Sequence, residues 1–281
     1  MGKIEQDQGG RTRYTPPRRR VVVWMTRKGV FRLAAIAGLL ALVSYLLYAE
    51  IPTTETGGTY LSTPLAGKVI ALDAGHGGVD GGAVSRDGVI EKDINMAIVL
   101  YLRDYLQQAG ALVVLTREGD HDLAAPDRKG YAKRKTEDLL NRASTIQRKK
   151  ADFAVTVHMN SVPSPKWSGA QTFYYDGNPD SGRLATLIQN EIRESLANTS
   201  RVALTKDNVY LLKTLPMPSA LVEVGFLSHP EEAKLLAGED YQKKVAAALY
   251  RGILKYSAGE GKTKPGKPSG SPSPSVSSAA K

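Results

Sequence analysis

The chain has 281 residues, is 42 % hydrophobic and 23 % charged, carries a formal net charge of +10 and contains no cysteine. This composition can supply a buried core, and it excludes a chain that is disordered throughout, a protein made mainly of membrane helices, and every mechanism that depends on cysteine. The positive charge belongs to the two ends: residues 1–32 hold nine basic and two acidic residues, residues 257–281 hold four and one, and the stretch between them is neutral. Since a nucleic-acid-binding domain carries basic residues on its folded part, we expect no nucleic-acid partner.

The N-terminal region predicts a membrane anchor. A basic head, residues 1–32, precedes an uncharged hydrophobic segment at residues 33–49, which is at the short end for a membrane span but lacks the polar stripe of a buried amphipathic helix. The next basic residue after this segment is Lys68, so the positive-inside rule places the head in the cytoplasm and the rest of the chain outside. We therefore predict an uncleaved transmembrane signal anchor. A cleaved signal peptide is the alternative, although Leu47 stands where a small residue is preferred.

Two segments without a core-forming pattern flank the predicted folded region. Residues 50–66 are polar and rich in turn-forming residues, and they are predicted to be a linker. Residues 257–281 are rich in Ser, Pro, Gly and Lys, a composition that cannot bury a core, so we predict a disordered tail. The folded domain is therefore expected at residues 67–256.

Within that region, strand-like and helix-like segments alternate. Short β-branched runs predict buried strands at 68–72, 111–116, 153–157 and 220–224, with two weaker strands at 170–175 and 209–212. Helical spacing of apolar residues predicts helices at 92–109, about 137–150, 180–197 and 239–256. The alternation indicates a single α/β domain whose six-stranded, mostly parallel sheet is covered by helices on both faces.

Sites in such sheets form where loops leave the carboxyl ends of the strands, and three residues there are candidates for a metal. His76 lies in a glycine-rich loop directly after the first strand; this loop lacks both the GK[ST] and the GxGxxG patterns of phosphate-binding loops. His158 directly follows another strand, and Glu91 begins the first helix. Each has a simpler explanation, as a structural histidine or a helix-stabilising carboxylate. Two His and one Glu with an open fourth position nevertheless form a catalytic zinc set.

A zinc hydrolase also needs a group that takes a proton from the attacking water and returns it to the leaving amine. Glu223 lies inside the apolar run ALVEVGF, where a carboxylate is costly unless it is paired or functional, and where its pKa would rise toward neutrality. Glu231 and Glu232 follow Pro230 and are interpreted as carboxylates at a helix start. His229 is interpreted as a loop residue without a chemical role.

The motifs LDAGHGGVDGGA, EKD, VHMNS and VEVGFLSHPEEA occur in this order, and across about residues 67–256 the chain resembles the zinc-dependent N-acetylmuramoyl-L-alanine amidases of the amidase-3 family. The resemblance implies a mixed, mostly parallel sheet and one Zn²⁺ per chain, held by His76, Glu91 and His158, with Glu223 as the catalytic carboxylate. The implied reaction is hydrolysis of the amide between N-acetylmuramic acid and L-alanine in peptidoglycan. Because metal-ligating histidines need hydrogen-bonding partners, Asp73 and Asn160 are predicted to hold them or the substrate.

Finer features resemble the sporulation members of this family: the strings KGYAKRKTEDL, WSGAQTFYY and NVYLLK, one N-terminal hydrophobic segment, and no wall-binding repeats. They imply that the substrate is spore-cortex peptidoglycan, that removing stem peptides is a step toward muramic-δ-lactam in preparation for germination, and that a muramic acid deacetylase acts next. The catalytic domain is expected outside the cytoplasm, tethered to the membrane and facing the wall or cortex. Two alternatives remain open: a non-catalytic, membrane-tethered wall-binding protein with this fold, and a zinc peptidase that cuts within the stem peptide.

Overall fold

The computed structural model describes residues 3–6, 12–15, 26–48 and 63–262. Most of the predicted head, nearly all of the predicted linker and most of the predicted tail lie outside the described residues. The chain divides into two units, residues 1–59 and 60–281.

The N-terminal unit contains two short strands and one long helix. Strands β1 (Lys3–Gln6) and β2 (Thr12–Thr15) pair in antiparallel fashion. Helix α1 spans Arg27–Tyr48, so it begins six residues before the uncharged segment at 33–49. Its stretch Arg27–Tyr45 has a mean hydropathy of 1.5 and is long and apolar enough to cross a membrane, a property shared by membrane anchors and signal sequences.

The second unit is built on one six-stranded sheet. Its elements in chain order are β3 (Val69–Ala74), α2 (Glu91–Gln108), β4 (Leu112–Leu115), α3 (Tyr131–Arg148), β5 (Phe153–Asn160), β6 (Gln171–Tyr174), α4 (Pro179–Leu196), β7 (Leu204–Thr205), α5 (Tyr210–Thr214), β8 (Ser219–Phe226), α6 (Pro230–Ala237) and α7 (Glu239–Ser257). The strand order is β4-β3-β5-β8-β6-β7. In this order the strands β4, β3, β5 and β8 run parallel to one another. Strand β6 is antiparallel to β8, and β7 is parallel to β6. The mixed, mostly parallel α/β sheet is therefore confirmed.

Alternation along the strands divides the core between the two faces of the sheet. Ile70 and Leu72 belong to the larger cluster, which packs under α2, α4 and α7. Ala71 belongs to a smaller cluster that includes Ile146 of α3 and Leu211 of α5. Side chains on one face of a strand recur every second residue, so Asp73 of β3 lies on the same face as Ala71, which α3 and α5 cover. The residues that pair with this face on the neighbouring strands are Thr156, His158, Leu221 and Glu223. The polar residues of the central strands thus share one face.

One strand prediction is wrong. Val209 is the N-cap of helix α5 and residues 210–212 are its first residues, whereas the sixth strand is the two-residue β7 at Leu204–Thr205. Leu211, Leu212 and Leu215 are buried at helical spacing, and a short apolar run of this kind does not distinguish a strand from a buried helical turn. Leu204 and Thr205 are exposed, so the true edge strand carries no hydrophobic signal.

Candidate metal centre and active site

His76, Glu91 and His158 come together at the carboxyl end of the sheet. Glu91 Oε1 lies 3.1 Å from His76 Nε2 and 3.0 Å from His158 Nδ1. One donor atom from each of the three residues lies within 4.8 Å of the other two, and the imidazole rings meet edge to face with their centroids 4.9 Å apart. Two imidazole nitrogens and one carboxylate oxygen facing a common point fit the donor set of a catalytic zinc site.

Two glycines make this convergence possible. A Cβ atom on Gly75 would lie 2.2 Å from His158 Cε1. A Cβ atom on Gly82 would lie 2.5 Å from Glu91 Oε2 and 2.8 Å from His76 Cδ2. The glycine-rich loop therefore lies against all three candidate ligands, and a side chain at either position would displace at least one of them.

Glu91 is held as an ionised acceptor. Its Oε1 accepts a hydrogen bond from the Met159 backbone N–H (3.0 Å), and its Oε2 accepts one from Ala83 N–H (2.8 Å). Burial alone would raise the pKa of Glu91, but the two histidines outweigh burial and lower it. Glu91 therefore presents a negative charge to any cation bound between the histidines.

Asp80 orients His76 from the opposite side. Its Oδ2 lies 2.9 Å from His76 Nδ1, which is within ion-pair distance, although the angle does not suit a hydrogen bond. The same oxygen accepts a hydrogen bond from Lys135 Nζ at 2.7 Å. Burial favours neutral His76, yet its contacts with Asp80 and Glu91 prevail and raise the pKa of His76 to about 9. Because a metal binds the neutral imidazole, a proton competes with the metal at this residue.

A buried arginine ties the loop to the sheet. Arg142 of α3 donates to Asp73 Oδ1 (2.8 Å) and to the backbone carbonyls of Ala74 (2.8 Å) and His76 (2.6 Å). Its Nε donates to Asp138, one turn earlier on the same helix. Helix α3 thereby fixes the backbone that carries His76.

Asp73 contacts this arginine and not the histidines. Its carboxylate also accepts hydrogen bonds from the hydroxyl groups of Thr116 and Thr156. Burial would raise the pKa of Asp73, but Arg142 and the two threonines outweigh burial and lower it to about 2. Asp73 therefore supports the loop through Arg142.

Arg117 is a second supporting residue, and no motif in the sequence predicts this role. It donates to the carbonyls of Ala74 (2.9 Å), Gly75 (3.1 Å) and Lys92 (2.8 Å), which joins the loop to the first turn of α2. The sequence does contain a feature that could have indicated a structural role for each arginine. Arg142 is a charged residue on the buried side of a predicted helix, and Arg117 is a charged residue directly after a predicted strand.

Glu223 lies across the sheet ladder from His158 in the parallel pair of β5 and β8. Its Oε2 atom is buried and has no hydrogen-bonding partner among the described residues. Burial raises the pKa of Glu223, and the charge of Glu91 adds to this effect against the opposing charges of His158 and Lys206. A raised pKa suits a carboxylate that must both accept and return a proton.

These groups face one cavity of about 260 Å³ on the α3/α5 side of the sheet. Its wall includes His76, His158 and Glu223, together with Arg142 of α3 and Lys206 beyond β7. The cavity places space for a ligand directly beside the candidate metal ligands and the unpaired carboxylate oxygen.

The remaining predicted residues lie near this edge in other roles. Asn160 ends β5, and its backbone carbonyl accepts a hydrogen bond from Leu227 N–H at 2.9 Å. His229 caps α6, since its Nδ1 accepts from Glu232 N–H at 3.2 Å. Glu232 begins the helix as predicted, but its buried carboxylate also accepts hydrogen bonds from the N–H groups of Gly169 and Phe226. It therefore joins the loop after β5 to the end of β8.

Comparison with known proteins gives consistent matches. A family described as N-acetylmuramoyl-L-alanine amidase, Amidase_3, matches residues 70–255. The germination-specific N-acetylmuramoyl-L-alanine amidase of Bacillus subtilis (strain 168) is 49 % identical over 195 residues, which cover 69 % of this chain and 82 % of that protein. The amidase LytC of the same organism is 30 % identical over 225 residues, covering 79 % of this chain and 42 % of LytC.

Solved structures agree with the sequence comparison. The CwlD amidase from Clostridioides difficile, solved in complex with the GerS lipoprotein, is 43 % identical with a TM-score of 0.67, and the match covers 68 % of this chain and 98 % of that one. The amidase AmiC2 of Nostoc punctiforme is 32 % identical with a TM-score of 0.59, and the match covers 67 % and 96 %.

Proposed function

The chain belongs to the Amidase_3 family of N-acetylmuramoyl-L-alanine amidases, and from this premise we propose that it hydrolyses the amide between N-acetylmuramic acid and L-alanine in peptidoglycan. In this proposal one zinc ion is held by His76, Glu91 and His158, and Glu223 is the catalytic carboxylate. The observation that carries the proposal is the position of Glu223, whose buried and unpaired oxygen shares a cavity with the three clustered donors.

The protein's own residues account for the proton transfers. When bound, zinc supplies Lewis-acid polarisation of the scissile carbonyl and acidifies the attacking water. Glu223 takes the proton of that water and then gives it to the departing alanine amine, two tasks that suit its raised pKa. Glu91 stays ionised, while Asp80 and Arg142 hold His76 and its loop in place.

The substrate proposal goes further, to the cortex of the spore. Its support is the 49 % identity to a germination-specific amidase and the match to CwlD. Removal of whole stem peptides would leave unsubstituted muramic acid, the chemical precursor that must lose its acetyl group before it closes to muramic-δ-lactam. A muramic acid deacetylase is therefore the partner that we expect to act on the product.

We also propose the arrangement of the chain. Helix α1 acts as an uncleaved signal anchor after a cytoplasmic basic head, and residues 67–256 form the catalytic domain outside the cytoplasm. The basic residues before α1 and the apolar composition of its stretch Arg27–Tyr45 support this orientation. Processing after α1, with release of the catalytic domain, is the alternative outcome.

The test is digestion of purified vegetative and cortex peptidoglycan by the detergent-solubilised chain, followed by mass spectrometry. Parallel reactions contain a chelator, or a chelator followed by restored zinc. We expect zinc-dependent release of intact stem peptides with free N-terminal alanine. Cleavage inside the stem would identify a peptidase. Binding to peptidoglycan without any product, also in the presence of a lipoprotein partner of the kind solved with CwlD, would identify a wall-binding protein.

A further inference from the structure

We propose that Lys206 is a specificity-determining residue that binds a free carboxylate of the stem peptide on the peptide side of the scissile amide. This inference rests on the proposed function and extends it by naming a group of the substrate that the site recognises.

The position of Lys206 is fixed by β6. Its backbone N–H donates to the Tyr174 carbonyl at 2.8 Å, and its Nζ lies 4.5 Å from the centre of the Phe173 ring. Phe173 is paired with Leu221 of β8, so both side chains lie on the face that carries Glu223. The lysine side chain therefore extends along this face, and it lines the same cavity as Glu223.

The other lysine and arginine side chains of the cavity wall are already paired with carboxylates. Lys135 binds Asp80 at 2.7 Å, and Arg142 binds Asp73 at 2.8 Å and Asp138 at 2.9 Å. Within residues 63–262, no carboxylate oxygen lies within ion-pair distance of Lys206 Nζ. Lys206 is half-buried, and its ammonium group lies over an aromatic ring. Its positive charge is therefore available to an anionic group of the substrate.

The order of groups across the sheet indicates which part of the substrate lies there. The candidate metal ligands belong to the β3 and β5 side, Glu223 lies on β8, and Lys206 lies beyond β6 at the end of β7. Because Glu223 protonates the departing amine, the alanine nitrogen must lie next to it, and the peptide continues away from the metal ligands. Lys206 is on that continuation. The glycan side of the amide bears no charge in N-acetylmuramic acid, whereas stem peptides carry a free α-carboxylate where glutamate is linked through its side chain.

The experiment uses a matched pair of substrates, N-acetylmuramoyl-L-alanyl-D-glutamate γ-methylamide and the corresponding D-isoglutamine γ-methylamide. The side-chain carboxylate is amide-linked in both, as in a stem peptide, and the second compound has a carboxamide in place of the α-carboxylate. The zinc-loaded full-length chain should have a kcat/KM for the acid about 10-fold above that for the amide, the size expected of one charge-assisted contact. Lys206→Met keeps the apolar stem over Phe173 and should bring this ratio close to 1 by slowing the acid alone. Lys206→Arg should preserve the preference. Lys213→Met removes a lysine from the exposed side of α5 and should keep the wild-type ratio.

The affinities of both compounds are also measured by competitive inhibition of peptidoglycan cleavage. The acid and the amide can then be compared even if the small substrates are hydrolysed slowly. Equal affinity and equal rates for the two compounds would overturn the inference, and so would a preference that persists in Lys206→Met. Cleavage of peptidoglycan without this preference refutes only the role of Lys206. Absence of cleavage of every substrate refutes the proposed function, and the inference with it.

Discussion

Asp73, Glu91 and Glu223 of the candidate active site have different surroundings and therefore different chemistry. Arg142 and two threonine hydroxyl groups hold Asp73 ionised, and two histidines together with backbone N–H groups hold Glu91 ionised. Glu223 has an unpaired oxygen, and burial raises its pKa. A raised pKa brings the two protonation states of a carboxylate closer in free energy at neutral pH, and Glu223 is the one of these three whose pKa is raised.

The first prediction concerns this carboxylate. Glu223→Gln should retain one zinc per chain but lower kcat by about 10³-fold or more, because the amide cannot accept the proton of the attacking water. Zinc content by mass spectrometry and kcat on peptidoglycan measure the two effects separately. Glu231→Gln is the matched control, since Glu231 is exposed at the start of α6. A Glu223→Gln protein with a near-normal rate would remove Glu223 from the mechanism.

The second prediction concerns Asp73 and acid stability. Its pKa is about 2 in the folded chain against 3.8 for an aspartate side chain in an unfolded chain, so the ionised form stabilises the fold above pH 3.8. This contribution, about 2 kcal/mol at neutral pH, is lost as the pH falls through 3.8 toward 2. In urea unfolding, Asp73→Asn should therefore be less stable than the wild type at pH 7, and the difference should shrink steadily below pH 4.

The exposed Asp176 supplies the control for this series, because Asp176→Asn should leave the pH dependence unchanged. A gap between wild type and Asp73→Asn that stays constant down to pH 2 would show that ionisation of Asp73 does not stabilise the fold.

Secondary-structure elements were predictable where periodicity extends over several turns. The predicted starts of α2, α4 and α7 lie within one residue of the observed ones, because each helix has a continuous apolar stripe. The start of α3 lies six residues before the prediction: its first turns carry charged and exposed side chains, so the apolar pattern begins late. Residues 209–212 were misassigned because the four-residue apolar run fits either type of element.

The meeting of His76, Glu91 and His158 was expected from their places at strand ends and from the family motifs. The supporting residues were not, since the partners of Arg142 lie up to 69 residues away and no local pattern specifies which carbonyls it binds. Asp80 was overlooked for the same reason: its contact with Lys135 bridges the loop and α3. Long-range polar contacts depend on the assembled fold, and periodicity reports only the local part of it.

The third prediction tests the glycine-rich loop as an element. In Gly75→Ala, the new methyl group would overlap the His158 ring, so the loop and the histidine must separate. We expect the folded protein to lose zinc affinity by about 10-fold to 100-fold, measured by competition with a chromogenic chelator. Gly119→Ala is the control, because the nearest atom to its Cβ is 3.6 Å away. Unchanged zinc affinity in Gly75→Ala would show that the close approach is not needed for binding.

At the scale of the whole molecule, residues 33–256 carry no net charge, and the apolar helix α1 belongs to a unit, residues 1–59, that is separate from the six-stranded sheet. The fourth prediction follows from this division. A chain reduced to residues 60–281 should keep the kcat and the thermal midpoint of the full chain but should leave the membrane fraction on cell fractionation. The full chain with Leu39 and Leu42 changed to Asp should behave in the same way if α1 is the anchor. Membrane retention of either variant would place the anchor elsewhere.

Strand β8 is the last strand of the sheet in chain order, yet it lies inside the sheet, between β5 and β6. The two halves of the sheet can therefore join only after the ribosome has completed residues 219–226, and the same strand brings Glu223 to the side of His158. Such pairing between distant segments is a late and slow step of folding. A nascent or still-unfolded chain consequently has no proton acceptor in place. Amidase activity is therefore expected only from chains in which this last strand has joined the sheet.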